Sequence, residues 1–212
     1  MRVILDLFIA TSGEKRLNDG GFIPQLQALS DTANTPEEKA NVLNKQFQSV
    51  FTIHDHCALQ QLDYQMPVDQ TNLCITENGV YELLKIIKSG KAGGPDCISG
   101  ISLKTFAKPI SKPLTRLFQY SISKGQLPKV WKHARVVPIL YKKGSNHDPA
   151  NYRPVSLTCI CCKLLEHIIH SHISAQLDQL NILTDVQHGF RAKRSCETQL
   201  VCTIDDLAKS LG

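Results

Sequence analysis

Apolar positions along this chain change their spacing from helical to alternating and back, and the changes mark its elements. Thr35-Pro36-Glu37-Glu38 predicts a helix start, with Thr35 as cap, Pro36 in the first turn and Glu38 closing a capping box. Ala40, Leu43, Phe47 and Val50 then recur on one helical stripe that runs to Phe51. Residues 54–75 lack a period and read as an extended link. A second helix starts at Thr76, turns Val80, Leu83, Leu84 and Ile87 inward, carries Lys85 and Lys88 near its negative end, and stops at Gly90. Further helices are predicted over 101–107 and 112–124, the latter with Pro113 in its first turn and Gly125 past its end.

The next stretch alternates. Val136–Tyr141 and Tyr152–Thr158 are β-rich and flank the polar loop Lys142–Asn151, which predicts an antiparallel hairpin with a long tip. Pro138 and Pro154 cannot donate to a ladder, so each is expected at an edge or an unpaired position. Helical spacing returns from about Cys161 to Leu180. It returns again from Ser195 to Leu211, with Leu200, Ile204, Leu207 and Leu211 on one face. The fold class is therefore α/β, in its α+β form: mostly helical, around one short hairpin.

Charge divides the 212-residue chain. Residues 1–84 hold 5 Lys+Arg against 11 Asp+Glu, whereas residues 85–212 hold 19 against 8. Such polarity in one half suits a polyanionic partner, although solvated lysines alone would give the same count. The sign changes close to the second helix, which places a domain boundary near residue 75: 1–75 as a connector and 76–212 as a second domain. No apolar run is long enough to span a membrane. The opening Met1–Ala10 is apolar, but Asp6 interrupts it and no cleavage site follows, so it reads as a structural element rather than a secretory signal. An intracellular protein, cytoplasmic or nuclear and not secreted, is expected. The eight cysteines, at 57, 74, 97, 159, 161, 162, 196 and 202, lack zinc-ribbon spacing and are expected to be reduced, with Cys159, Cys161 and Cys162 as small buried hydrophobes.

Several features that could carry chemistry carry little. Ser89–Asp96 is Gly-rich, but a helix precedes it and no Ser or Thr follows Lys91, so it is a helix stop and turn rather than a phosphate loop. His167, His170 and His172 share a helix without the partners a metal would need. Asp205 and Asp206 are adjacent in a helix, so their side chains diverge. The hairpin is more informative. Lys142 and Lys143 stand at the base of its tip and Arg153 begins the returning strand, which sets two ammonium groups and a planar guanidinium on a stiff platform.

Ordered motif blocks give this hairpin a context. Lys91–Asp96, with Cys97 where Gly is usual, is followed by Gly125-Gln126-Leu127-Pro128, Trp131-Lys132 and Ala134–Ile139. Then come Lys142-Lys143-Gly144, Asn151–Leu157, Lys163–Glu166 and Gln187-His188-Gly189-Phe190-Arg191, with Ser195 and Gln199-Leu200. In this order the blocks resemble the opening of the reverse transcriptase domain of non-LTR (LINE-type) retrotransposons. Residues 35–52 are similar to the connector upstream of that domain, so the resemblance spans about residues 35–207. One departure is that Pro138–Lys143 is one residue longer than the usual form, which leaves open which lysine takes the triphosphate-contacting position.

The resemblance implies RNA-directed DNA synthesis as the parent activity, with RNA template, DNA primer and deoxynucleoside triphosphate as partners. It implies a fingers subdomain behind a helical connector. Lys142, Lys143 and Arg153 would contact the incoming triphosphate, and Arg191, Lys193 and Arg194 would contact nucleic acid. Arg191 could instead brace the fingers. The family's metal-binding aspartates, which hold Mg²⁺ in the full-length enzyme, have no counterpart in these blocks. The chain is thus expected to be a fragment with no catalytic or metal-binding residue, no cofactor of its own and no polymerase activity alone. The alternatives are a non-enzymatic nucleic-acid-binding protein derived from such an element, or a degenerating domain without activity.

Overall fold

The computed structural model describes residues 23–27, 32–51, 73–90, 92–141 and 144–211. The opening Met1–Ala10, the turn at residues 18–21 and most of the link 54–75 lie outside the described residues. The elements run β1 (Leu26–Gln27), β2 (Thr32–Ala33), α1 (Pro36–Ser49), α2 (Glu77–Lys85), α3 (Gly100–Thr105), α4 (Ala107–Lys124), β3 (Arg135–Leu140), β4 (Tyr152–Leu157), α5 (Ile160–Gln179) and α6 (Cys196–Leu211). β1 pairs antiparallel with β2 and β3 with β4, so the fold is mixed α+β with two small strand pairs. The chain divides into two compact units. Residues 1–66 and 74–166 form one; residues 67–73 and 167–212 form the other.

In the first unit, α1 starts as its sequence dictates. The Glu38 amide donates to Thr35 Oγ1 and the Thr35 amide to Glu38 Oε2, completing the capping box. Amides of Thr35 and Asn34 on this carboxylate hold its pKa below the usual value. The buried stripe of α1 is Lys39, Leu43 and Phe47; it ends there, because Val50 and Phe51 are exposed. Leu26, Ala33, Leu43 and Phe47 close one core with Val136 and Tyr152 of the β3–β4 hairpin.

A second packing region of this unit joins α2 to α4, burying Val80 and Leu84 beside Ala107, Leu114 and Phe118. Phe118 meets Trp131 edge to face, with centroids 5.8 Å apart and planes at 61°. Pro113 does not open α4 but lies inside it. The helix continues through it because Ser111, Leu114, Thr115 and Phe118 are buried on one side. Pro109 and Pro113 are exposed, so the carbonyl that loses its partner faces water.

The hairpin register pairs Pro138 with Pro154. Tyr141 donates its amide to Asn151 O at 2.9 Å, and alternation along an antiparallel pair then makes the proline rung one whose N–H groups point away from the partner strand. Neither missing donor costs the ladder a bond. Register also sorts the side chains: Val136, Pro138, Leu140, Tyr152, Pro154 and Ser156 share one face, and Arg135, Val137, Ile139, Arg153, Val155 and Leu157 the other.

In the second unit, α6 begins at a reciprocal cap in which Ser195 and Thr198 exchange amide-to-hydroxyl bonds. No residue of α6 is buried; the stripe Leu200, Ile204, Leu207 and Leu211 is exposed. Among the described residues, no helix is long and apolar enough to cross a membrane.

Candidate nucleotide and nucleic-acid interface

The hairpin presents its two faces to different surroundings. Val136 and Tyr152 are almost fully buried against α1 and the β1–β2 pair, whereas Arg153 on the other face is exposed. The Arg153 guanidinium stacks on the Tyr141 ring, 3.3 Å from its centroid. A stacked guanidinium is held in place through its face, a contact that does not itself use the N–H donors at its edge. Lys142 and Lys143 lie outside the described residues, so their convergence with Arg153 stays an expectation.

Arg135 shares the face of Arg153, two side-chain positions beyond Ile139, and its guanidinium approaches Cys97 Sγ at 3.9 Å. Cys97 has φ +56°, the left-handed region that favours glycine. That backbone conformation explains why glycine is usual there. The Gly-rich segment is a turn but not the helix stop expected of it, because α2 already ends at Lys85 with Ile86 as its C-cap. Cys97 donates its amide to Gly94 O, Ile98 donates to Asp96 Oδ1, and the Gly94 Cα lies so near the chain that an added Cβ would be 2.4 Å from the Cys159 amide nitrogen. The turn is thereby fixed to the residues that follow β4.

Cys159, Cys161 and Cys162 are buried as expected, and all seven described cysteines are unpaired; Cys57 lies outside the described residues. Burial pushes the Cys161 and Cys162 thiols up to about 11, with Asp96 and Glu166 respectively adding to the effect, so both are neutral and inert at ordinary pH. No group of three or more His, Cys, Asp or Glu among the described residues is arranged to hold a metal ion. Asp205 pairs with Lys209 one turn along α6.

The other three basic positions belong to the second unit. Arg191 donates Nη1 to Thr184 O at 2.9 Å and pairs through Nη2 with Asp178 at 3.4 Å. Arg194 pairs with Asp185, through both its carboxylate at 2.9 Å and its carbonyl. Both guanidinium groups thus tie the 181–195 loop together. Lys193 is exposed at φ +61°, and Phe190 beside it is fully exposed at φ +59°. Tyr141, Arg135 and Phe190 are the positions that sequence reading missed. All three lie within segments singled out in the sequence, Arg135 and Phe190 in motif blocks and Tyr141 in the run Pro138–Lys143, but residue type alone did not mark them.

No family model matches the chain. It is 28% identical over 180 residues to a probable RNA-directed DNA polymerase from transposon BS of Drosophila melanogaster, covering 80% of this chain and 20% of that protein. It is 28% identical over 149 residues to a probable RNA-directed DNA polymerase from transposon X-element of the same species, covering 70% and 15%. To the RNA-directed DNA polymerase from mobile element jockey it is 25% identical over 174 residues, covering 78% and 19%. The resemblance read from the motif blocks is borne out: the chain is related to one part of the RNA-directed DNA polymerases of these non-LTR elements. It spans a fifth or less of the length of these curated relatives.

Proposed function

We propose that this chain is the connector (1–75) and fingers part (76–212) of an RNA-directed DNA polymerase of the non-LTR type, working inside the cell in the cytoplasm or nucleus. The observation that carries this reading is Arg153, which stands exposed on the outer face of a buttressed hairpin, stacked on Tyr141. A planar fork held in that way suits the oxygens of a deoxynucleoside triphosphate, and Lys142 and Lys143, next in the sequence after Tyr141, would add point charges. Arg135 extends the basic face along the strand. Lys193, with the exposed Phe190 ring, offers a charge and a stacking surface for single-stranded template or primer. Arg191 and Arg194 shape the loop that carries them.

The relatives imply a divalent metal in the full enzyme. The described residues here do not fit one, and Asp205 and Asp206 do not supply it, so no metal-dependent step is assigned to this chain. Its own contribution is positioning and charge neutralisation.

The reading is tested by titrating the 212-residue chain with a deoxynucleoside triphosphate, following the Arg153 side-chain resonances. Arg153→Lys should weaken binding despite the retained charge, and Lys142→Ala or Lys143→Ala alone should weaken it less. Equal binding by wild type and Arg153→Ala would refute the assignment.

A further inference from the structure

A two-stranded hairpin standing alone is marginal in water, since it lacks a third strand or a helix on which to bury a face. Here the burial comes from the far end of the sequence. The inner face meets Leu26, Ala33, Leu43 and Phe47, and the outer face is half-buried or exposed throughout. The contact is polar as well as apolar. Gln27 donates its amide to His147 O at 2.8 Å, and His147 Nδ1 lies 2.6 Å from Gln25 O, which requires that this nitrogen carry the proton and donate. Lys39 Nζ donates to Ile23 O at 2.9 Å, which binds the same short segment to α1.

Residues 145–152, gripped at His147, are cross-linked among themselves by hydrogen bonds. Tyr152 donates its hydroxyl to Asn146 O at 2.7 Å, and Asn151 donates Nδ2 to Ser145 O at 2.9 Å. Asn151 also accepts from the Tyr141 amide. Any displacement of His147 is therefore passed to Tyr141 and Tyr152, and from there to Arg153. The first segment holds the back of the platform and the basic face projects from its front.

We propose that residues 23–27 and 32–49 act as a buttress for the hairpin and that His147 is a positioning residue, whose bond to Gln25 sets the place of Tyr141 and Arg153. The structural part of this inference is independent of the proposed nucleotide site, whereas its functional consequence rests on that reading. The segment before residue 75 would then be more than a tether between domains: the order of the triphosphate platform would depend on it.

The test uses the full 212-residue chain, with His147→Ala and His147→Asn. The Asn Nδ2 occupies the place of the imidazole Nδ1 and can donate to the same carbonyl. Three quantities are read: amide exchange over residues 144–153, the ring-current shift that Tyr141 imposes on the Arg153 side chain, and the affinity for deoxythymidine triphosphate. Losing one hydrogen bond of ordinary strength should speed loop exchange by about five- to tenfold in His147→Ala. The ring-current shift should shrink in the same variant, and His147→Asn should restore both. Unchanged exchange and unchanged shift in His147→Ala would overturn the proposal, as would a failure of His147→Asn to restore them. A wild-type chain that shows the latch signatures but binds no deoxythymidine triphosphate supports the buttress while refuting the nucleotide site.

Discussion

The guanidinium of Arg153 lies flat against the ring of Tyr141, 3.3 Å from its centroid, although neither residue is buried. Tyr141 directly follows β3, and its amide closes one further rung by donating to Asn151 O. An exposed pair of this kind contributes about 0.5–1 kcal/mol. Tyr141→Ala should therefore weaken triphosphate binding by roughly two- to fivefold. In the Arg153→Ala background the same change should have no further effect. A double-mutant cycle by isothermal titration checks this, and additive losses would show that the stack does not act through Arg153.

Backbone demands around the Gly-rich turn predict opposite signs at two neighbouring positions. Gly94→Ala should destabilise the chain by about 1–3 kcal/mol, because its Cβ would collide with backbone at Cys159 rather than with a movable side chain. Cys97→Gly should stabilise it by up to about 1 kcal/mol by relieving the left-handed conformation. Urea unfolding of both variants gives the two signs directly.

Much of this architecture was legible in the chain. The capping box at Thr35 and Glu38, the span of α5 and α6, and the hairpin with its polar tip all follow from local rules. Pro113 was misplaced because a local rule puts proline in a first turn, whereas the buried side chains of α4 extend the helix past it. The grip of Leu26, Leu43 and Phe47 on the hairpin was not legible, since they meet Val136 and Tyr152 only through tertiary packing. The Tyr141 stack depends in the same way on a cross-strand neighbour. The basic residues stood out by type, but the division between exposed Arg153 and the internally paired Arg191 and Arg194 needed coordinates.

The buried thiols make a prediction about pH and reactivity. Cys161 and Cys162 are raised from an ordinary 9.0 to about 11, so the folded state disfavours their ionisation relative to the unfolded chain. Their contribution to stability is whole below pH 9 and is lost as pH rises towards about 11. Thermal unfolding across that range should show falling stability, less so in Cys161→Ala. At pH ~8, iodoacetamide should label Cys74, Cys97, Cys196 and Cys202, and spare Cys159, Cys161 and Cys162 until the chain unfolds.

Catalysis supplies a negative expectation. The 212-residue polypeptide should not extend a primer on an RNA template, because the motif blocks it carries do not include the aspartates that a two-metal phosphoryl transfer requires. Extension above background by the purified polypeptide, lost on adding a chelator, would contradict this.

The basic face of the hairpin and, separately, the 190–194 loop are each proposed to bind a polyanion. This is tested most directly by titrating the 212-residue chain onto a fluorescent single-stranded RNA over a series of salt concentrations. Binding should weaken steeply with salt, with a slope in the log–log plot of about −0.7 for each phosphate contacted. A variant carrying Arg135→Ala, Arg153→Ala and Lys193→Ala should lose affinity and show a shallower slope. An affinity indifferent to salt, or the same affinity and slope in the triple variant, would contradict the account.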